Sequence, residues 1–246
     1  MNCYEKLYHI KRYSDAVGSI YGTEDFGLYF YSLVKMRRPQ RVVELGTGLG
    51  IIALWGGLAL EENGSGKLIT IDNGSEWSHI SQARDRIGSF FHSDYATYIQ
   101  QLISTFELSA IVHFEHAEIN EVKIFDGVDI LFSDFSHGPR DIIMLLSNYL
   151  ERMSECSVMM FDSASTYYPS YQMLEQLVPM LNAGRVPEAL LEHAANPDSL
   201  RQRVQRTEFK LHHVVEAKPR SQNSTACLYL QPVDLIPYPR TTMRAL

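Results

Sequence analysis

The chain has 246 residues, 45% of them hydrophobic, which is ample for one α/β domain with additions. A formal charge of −7 and a pI near 5.7 argue against a general polyanion binder, so nucleic acid is a disfavoured substrate. Cys3, Cys156 and Cys227 are too few and too dispersed for a disulfide framework or closed zinc site, the opening MNCYEKLYHIKRY lacks a signal-peptide core, and the longest apolar run, Ile51 to Leu60, is too short for a bilayer. A cytoplasmic protein with no membrane partner is expected.

Residues 1–40 read as a helical cap rich in tyrosine: Tyr4, Tyr8, Tyr13, Tyr21, Tyr29 and Tyr31. Phe26, Tyr29, Phe30, Leu33 and Val34 fall at helical spacing, with Thr23 as a cap and Pro39 as the stop. The stretch Arg41 to Gly57, RVVELGTGLGIIALWGG, then reads as buried strand, glycine turn and helix. Asn63, Gly64 and Gly66 end that helix, and Lys67 to Ile71 form a second strand terminating at Asp72. Ser78 to Phe91 predicts an added helix beside the mouth of the site, and Asp94 to Phe106 the regular crossover helix. Ile111 to Phe114 is strand three, followed by His116, Ala117 and Glu118; Asp129 to Ser133 is strand four. Asp141 opens a helix whose Ile142, Leu145, Leu146, Tyr149 and Leu150 share an apolar face, and Ser157 to Phe161 is strand five. Helices over Tyr171 to Leu181 and Val186 to Val204 precede a hairpin of Glu208 to Glu216 and Thr225 to Gln231. Strands alternating with helices imply an α/β fold with a doubly wound, mostly parallel sheet and a C-terminal antiparallel hairpin. A single domain over 1–246 is expected, with a Rossmann-like core over 41–246 and helical insertions near 74–93 and 167–206.

The glycine turn carries the most chemistry. Glycines let the backbone turn where other residues are restricted and let a ligand approach without a Cβ in the way. Gly46 and Gly48 fit the dinucleotide fingerprint G-x-G-x-x-G, but Ile51 stands where its third glycine belongs. Glu44 would repel a pyrophosphate and suits a cofactor with sulfonium and ammonium charges. Glu44 with Gly46, Gly48 and Gly50 resembles the first motif of the Class I S-adenosylmethionine-dependent methyltransferases. That resemblance implies S-adenosylmethionine held at Glu44, Gly46, Thr47, Gly48 and Gly50, with Ala117 and Glu118 around the adenine. It also implies a seven-stranded sheet whose last strand inserts antiparallel between the fifth and sixth. Asp72 at the end of strand two can accept both ribose hydroxyls, or serve as a turn residue in Asp-Asn-Gly.

Open α/β sheets place ligands beyond the carboxyl ends of their strands, which points to SDFSHG after strand four and FDS after strand five. Asp134 and Asp162 could converge on a divalent cation such as Mg2+ that holds a substrate oxygen. Here the chain resembles the small-molecule, catechol-type and related bacterial O-methyltransferases, with Ser163 departing from their usual Asn or Asp at the third metal position. Cofactor contact by Asp134 is implied as well. His137, three residues after Asp134, stands at the offset of their proton-abstracting base, with Asp134 orienting it; a loop histidine that packs or caps the Asp141 helix is the other reading. His113 and His116 read as structural, and Arg201, Arg203, Arg206 and Lys210 as a solvated face. Methyl transfer to a small-molecule acceptor oxygen is therefore expected, with a homodimer as an open assembly. The alternatives are a noncatalytic S-adenosylmethionine-binding or scaffold protein and, disfavoured by Ile51 and Glu44, a nicotinamide oxidoreductase.

Overall fold

The fold is that of a computed structural model describing residues 1–21, 25–80, 84–119, 125–217 and 223–233. Two helices, α1 (Cys3–Tyr21) and α2 (Phe26–Arg37), precede β1 (Arg41–Leu45), α3 (Ile51–Asn63) and β2 (Lys67–Asp72). Short turns α4 (Trp77–Ile80) and α5 (Arg84–Ile87) lead to α6 (Tyr95–Thr105), β3 (Val112–His116), β4 (Val128–Ser133), α7 (Pro139–Tyr149) and β5 (Met153–Asp162). Then follow α8 (Tyr168–Asn182), α9 (Glu188–Leu191), α10 (Pro197–Arg206), β6 (Thr207–Val215) and β7 (Ser224–Pro232).

The sheet order is β3-β2-β1-β4-β5-β7-β6. Strands β1 to β5 pair in parallel, while β7 runs antiparallel between β5 and β6. Side-chain alternation along the strands divides the core between two faces. Val42, Ile130, Phe132, Val158 and Met160 pack with α1, α2, α3 and α6. Val43, Leu45, Leu131, Met159 and Phe161 pack with α7, α8, α9 and α10. Chain order reverses between β1 and β4, so the crevice outside their carboxyl ends is where a doubly wound sheet offers a ligand site.

The N-terminal cap is fastened to that crevice. Tyr13 donates its hydroxyl hydrogen to the Leu49 carbonyl in the glycine turn (2.7 Å), and Trp55 Nε1 donates to Ser14 Oγ (2.9 Å). Buried Lys6 reaches Glu61 of α3 at 2.7 Å. Tyr4 and Tyr8, in contrast, are exposed. The expected Thr23 cap lies outside the described residues.

Three elements differ from expectation. The helix expected over Ser78 to Phe91 does not reach its expected end: α5 stops at Ile87 and a 3-10 turn at Gly88–Phe90 follows, because Gly88 adopts φ +64°, which no right-handed helix continues through. The Val186 to Val204 helix splits, because Asn196 is extended before Pro197 and its side chain caps α10 through the Ser199 N–H (3.1 Å). Arg203 is not on a solvated face; its guanidinium donates to the carbonyls of Ser154 (2.7 Å) and Met153 (3.2 Å), and burial lowers its pKa. No described helix is long and apolar enough to cross a membrane.

Candidate active site

Leaving β1, the chain must pass close to the residues leaving β4. A Cβ on Gly46 would lie 2.8 Å from the Asp134 carbonyl carbon and oxygen, and φ there is +93°, so only glycine seats this turn without displacement. The Gly46 N–H donates to Ile71 O and the Asp134 N–H to Leu45 O, both at 2.8 Å, locking the ends of β1, β2 and β4 together. Asp72 then draws the turn in: its carboxylate accepts the Gly48 N–H (3.0 Å) and the Gly74 N–H (2.7 Å). Tyr95, the first residue of α6, donates its hydroxyl hydrogen to Gly48 O at 2.9 Å. Gly50 caps α3 in a left-handed conformation.

These residues border a cavity of about 240 Å³ lined by Gly46, Gly48, Asp72, Trp77, Tyr95, Glu118 and Asp134 among others. Among the described residues its lining holds four carboxyl groups (Asp72, Glu76, Glu118 and Asp134) and no lysine, arginine or histidine. Glu118 also accepts the Asn73 side-chain amide at 2.8 Å, whereas Ala117 stands outside the lining and donates its N–H to Asp72 O at 3.2 Å. Thr47 is buried, with its hydroxyl 2.5 Å from that of Thr70, so it braces the turn from beneath. Glu44 sits beside it, 1% exposed, and its Oε2 has no hydrogen-bond partner. Burial pushes the Glu44 pKa up to about 8; the Thr70 hydroxyl offsets part of this and the Asp72 charge adds to it.

Next to the cavity the chain brings Asp134, His137 and Asp162 together, with one ligand atom from each within 4.8 Å of the others. His137 Nδ1 lies 3.0 Å from the main-chain carbonyl of Asp162. A carbonyl oxygen can only accept, so Nδ1 is the donor in this bond and carries a proton. Ser170 of α8 donates to the His137 carbonyl and steadies the loop. Burial raises the Asp134 carboxyl well above the usual carboxylate range, and the Asp162 charge raises it further. Asp162 is raised as well, again by burial, against the opposing pull of the Ser163 hydroxyl and His137. Ionisation of either carboxyl in this buried pair therefore opposes that of the other, and Asp134 is raised the more strongly.

Ser163 was expected as a third metal position. Its hydroxyl donates to Asp162 Oδ2 at 2.8 Å, and Thr225 Oγ1 lies 3.4 Å from Oδ1. Ser163 adopts φ +57°, held by its N–H on Ser224 O at 2.6 Å; a strained residue directly after a buried carboxylate fits a turn shaped around a site. Tyr95, Ser163's conformation and the Ser170 brace were not foreseen. No local motif signals them, since each acts through a partner distant in sequence. His113 is exposed, and His116 Nε2 bonds Asn73 O at 2.9 Å beside the rings of Tyr95 and Phe114, so neither joins the cluster.

Residues 43–164, from β1 to just past β5, match the family model described as a methyltransferase domain. The O-methyltransferase TomG from Streptomyces achromogenes, involved in tomaymycin synthesis and solved with SAM, is similar over 89% of each chain at 15% identity and a TM-score of 0.51. An O-methyltransferase from Bacillus cereus in complex with SAH is similar over 89% of this chain and 90% of its own, at 13% identity and a TM-score of 0.52. No curated protein sequence matches.

Proposed function

We propose that this chain, whose residues 43–164 match a methyltransferase-domain model and whose fold is similar to that of an O-methyltransferase solved with SAM, uses S-adenosylmethionine to methylate an oxygen of a small-molecule acceptor. The observation that carries the cofactor assignment is the charge of the cavity: among the described residues four carboxyl groups and no basic side chain border a space beyond the glycine turn. Such a lining favours a ligand with sulfonium and ammonium charges and opposes a pyrophosphate, which sets the nicotinamide reading aside. Bound there, S-adenosylmethionine supplies a methyl group already activated by its sulfonium. Gly46 and Gly48 bring backbone up to it without a Cβ, and Glu44 stays beneath the turn as the buried acidic group. Asp72 accepts one backbone N–H at each carboxylate oxygen, from Gly48 and Gly74, with the Tyr95 hydroxyl close by, and the ribose hydroxyls would take lone pairs that remain. Glu118 borders the same space from the end of β3, with Ala117 acting through the backbone.

His137 is the proton acceptor in this reading. Its Nδ1–H on the Asp162 carbonyl orients the ring, so that Nε2 is the nitrogen that would take the acceptor proton, in a cluster with Asp134 and Asp162. Removal of the acceptor hydroxyl proton leaves an oxygen nucleophile, and the chain's remaining task is to exclude water and align that oxygen with the methyl group. Asp134 and Asp162 also fit a Mg2+ ion, since they offer buried hard oxygen donors that repel one another without a cation or a proton between them. A cation held there would lower the pKa of a coordinated acceptor hydroxyl. His137 Nε2 cannot ligate a cation and take a proton at once, and the base role is the one argued here.

The test uses purified protein, S-adenosylmethionine and a panel of catechol and phenol probes. Calorimetric binding of S-adenosylmethionine and methyl transfer to a probe oxygen are expected. His137→Gln should keep cofactor affinity but lower the chemical rate by roughly two to four orders of magnitude and remove the base limb of the pH profile. Binding of NADH in place of S-adenosylmethionine would overturn the cofactor assignment. A variant that keeps both the limb and its turnover would return His137 to the role of a loop residue.

A further inference from the structure

Outside the cofactor cavity the molecule holds a second set of convergent polar groups. Ser165, in the loop between β5 and α8, places Oγ 2.7 Å from Nδ1 of His213 on β6. His213 Nε2 lies 3.0 Å from Oε1 of Glu175 on α8. An ionised carboxylate only accepts, so Nε2 carries the ring proton and Nδ1 is the acceptor for the Ser165 hydroxyl. Tyr171 packs on the imidazole, ring centroids 4.9 Å apart, and limits its rotation. Both polar distances fall within the range at which a base activates a nucleophile and a carboxylate orients the base. Ser165 is half-buried, and His213 and Glu175 are partly open to solvent, so a small reagent can reach the serine. Among the described residues the Ser165 N–H has no hydrogen-bond acceptor, which leaves a backbone donor beside the hydroxyl for a developing oxyanion.

We infer that Ser165 is a nucleophile activated by His213 and Glu175, and that it is acylated by small activated esters in a reaction independent of methyl transfer. Oγ forms a bond to the ester carbonyl carbon as its proton passes to His213 Nδ1. The carbon–oxygen bond to the leaving group then breaks, and the departing oxygen takes that proton. Water repeats the sequence on the acyl-serine, releasing the acid and restoring the hydroxyl. The relay belongs to neither the glycine turn nor the Asp134–His137–Asp162 cluster. Val214, next to His213, is separated from Asp162 by Thr225 of β7, a gap of two strand spacings or roughly 10 Å.

Incubation of the intact protein with a fluorophosphonate probe, followed by peptide mass mapping, tests this assignment. One adduct on Ser165 is expected, formed with loss of fluoride, together with slow hydrolysis of p-nitrophenyl acetate. Ser165→Ala should abolish both. His213→Gln should slow labelling by at least about a hundredfold and Glu175→Gln by about tenfold, all three variants keeping their thermal unfolding midpoint. Because Glu175 is half-exposed, its replacement keeps the test usable if His213→Gln misfolds. No adduct on Ser165 in the folded wild type, or a labelling rate unchanged in both relay variants, would overturn the inference and make this trio a tether between the β5–α8 loop and β6.

Discussion

Replacing Glu44 with glutamine removes a titration that folding forces into the interior. The Glu44 carboxyl is 1% exposed and its Oε2 has no partner, and burial lifts its pKa from 4.5 to about 8. Between those values the native state holds a proton that the unfolded chain has released. The stability from this group is therefore fully present below pH 4.5 and is lost as pH rises towards 8. At about 1.4 kcal/mol for each pH unit between the two pKa values, the loss is on the order of 5 kcal/mol, comparable with the whole stability of a domain. Asp134 and Asp162 are raised in the same direction and remain in the variant; the part of the Asp134 shift that comes from the Glu44 charge is lost with it and adds to the difference in the same sense. Urea unfolding of both cofactor-free proteins from pH 5 to 8.5 reads the effect. At pH 5 Glu44→Gln should be the less stable by about 1–3 kcal/mol, because its amide puts an unpartnered donor where Oε2 now lies. By pH 8.5 the order should reverse, with the variant's stability changing less across the range. Parallel pH curves for the two proteins would refute the reasoning and mean that Glu44 is already ionised in the native state.

Asp72→Ala should weaken S-adenosylmethionine binding by tenfold or more in calorimetry, since the glycine turn and the proposed ribose site lose the same carboxylate; unchanged affinity in a folded variant would confine Asp72 to a turn role. Chelator should abolish methyl transfer to the catechol and phenol probes and Mg2+ restore it, with Asp162→Asn mainly raising the metal concentration required; full turnover in chelator would leave Asp134 and Asp162 as groups that orient the acceptor. Gly46→Ala should cost about 2–5 kcal/mol in urea unfolding, from a left-handed backbone plus a Cβ driven against Asp134, and should also weaken cofactor binding; a change below about 0.5 kcal/mol would mean the two strand ends are free to part.

Local pattern was sufficient for the strands, because a parallel strand covered on both faces must be a short apolar run and Val42, Val43 and Leu45 could be little else. It was sufficient for the glycine turn too, where three left-handed positions within five residues leave few choices beyond glycine. It failed where the deciding interaction was distant or conformational. The Ser78 to Phe91 segment has helical spacing, yet Gly88 interrupts it, and the Val186 to Val204 pattern carried no weight against Asn196-Pro197. The site divides in the same way. Glu44, Asp72, Asp134, His137 and Asp162 could be nominated because each stands at a strand end, where a doubly wound sheet gathers its chemistry. Which nitrogen of His137 donates could not be read from the chain, since the answer lies in the Asp162 carbonyl 25 residues away. Nor could the raising of the Asp134 and Asp162 carboxyls, the inward turn of Ser163 or the Ser165–His213–Glu175 relay, which joins a loop to a strand 48 residues later. Propensity and periodicity act over a few residues, whereas tautomers, paired carboxyls and relays depend on distances of about 3 Å between groups that only the closed sheet brings together.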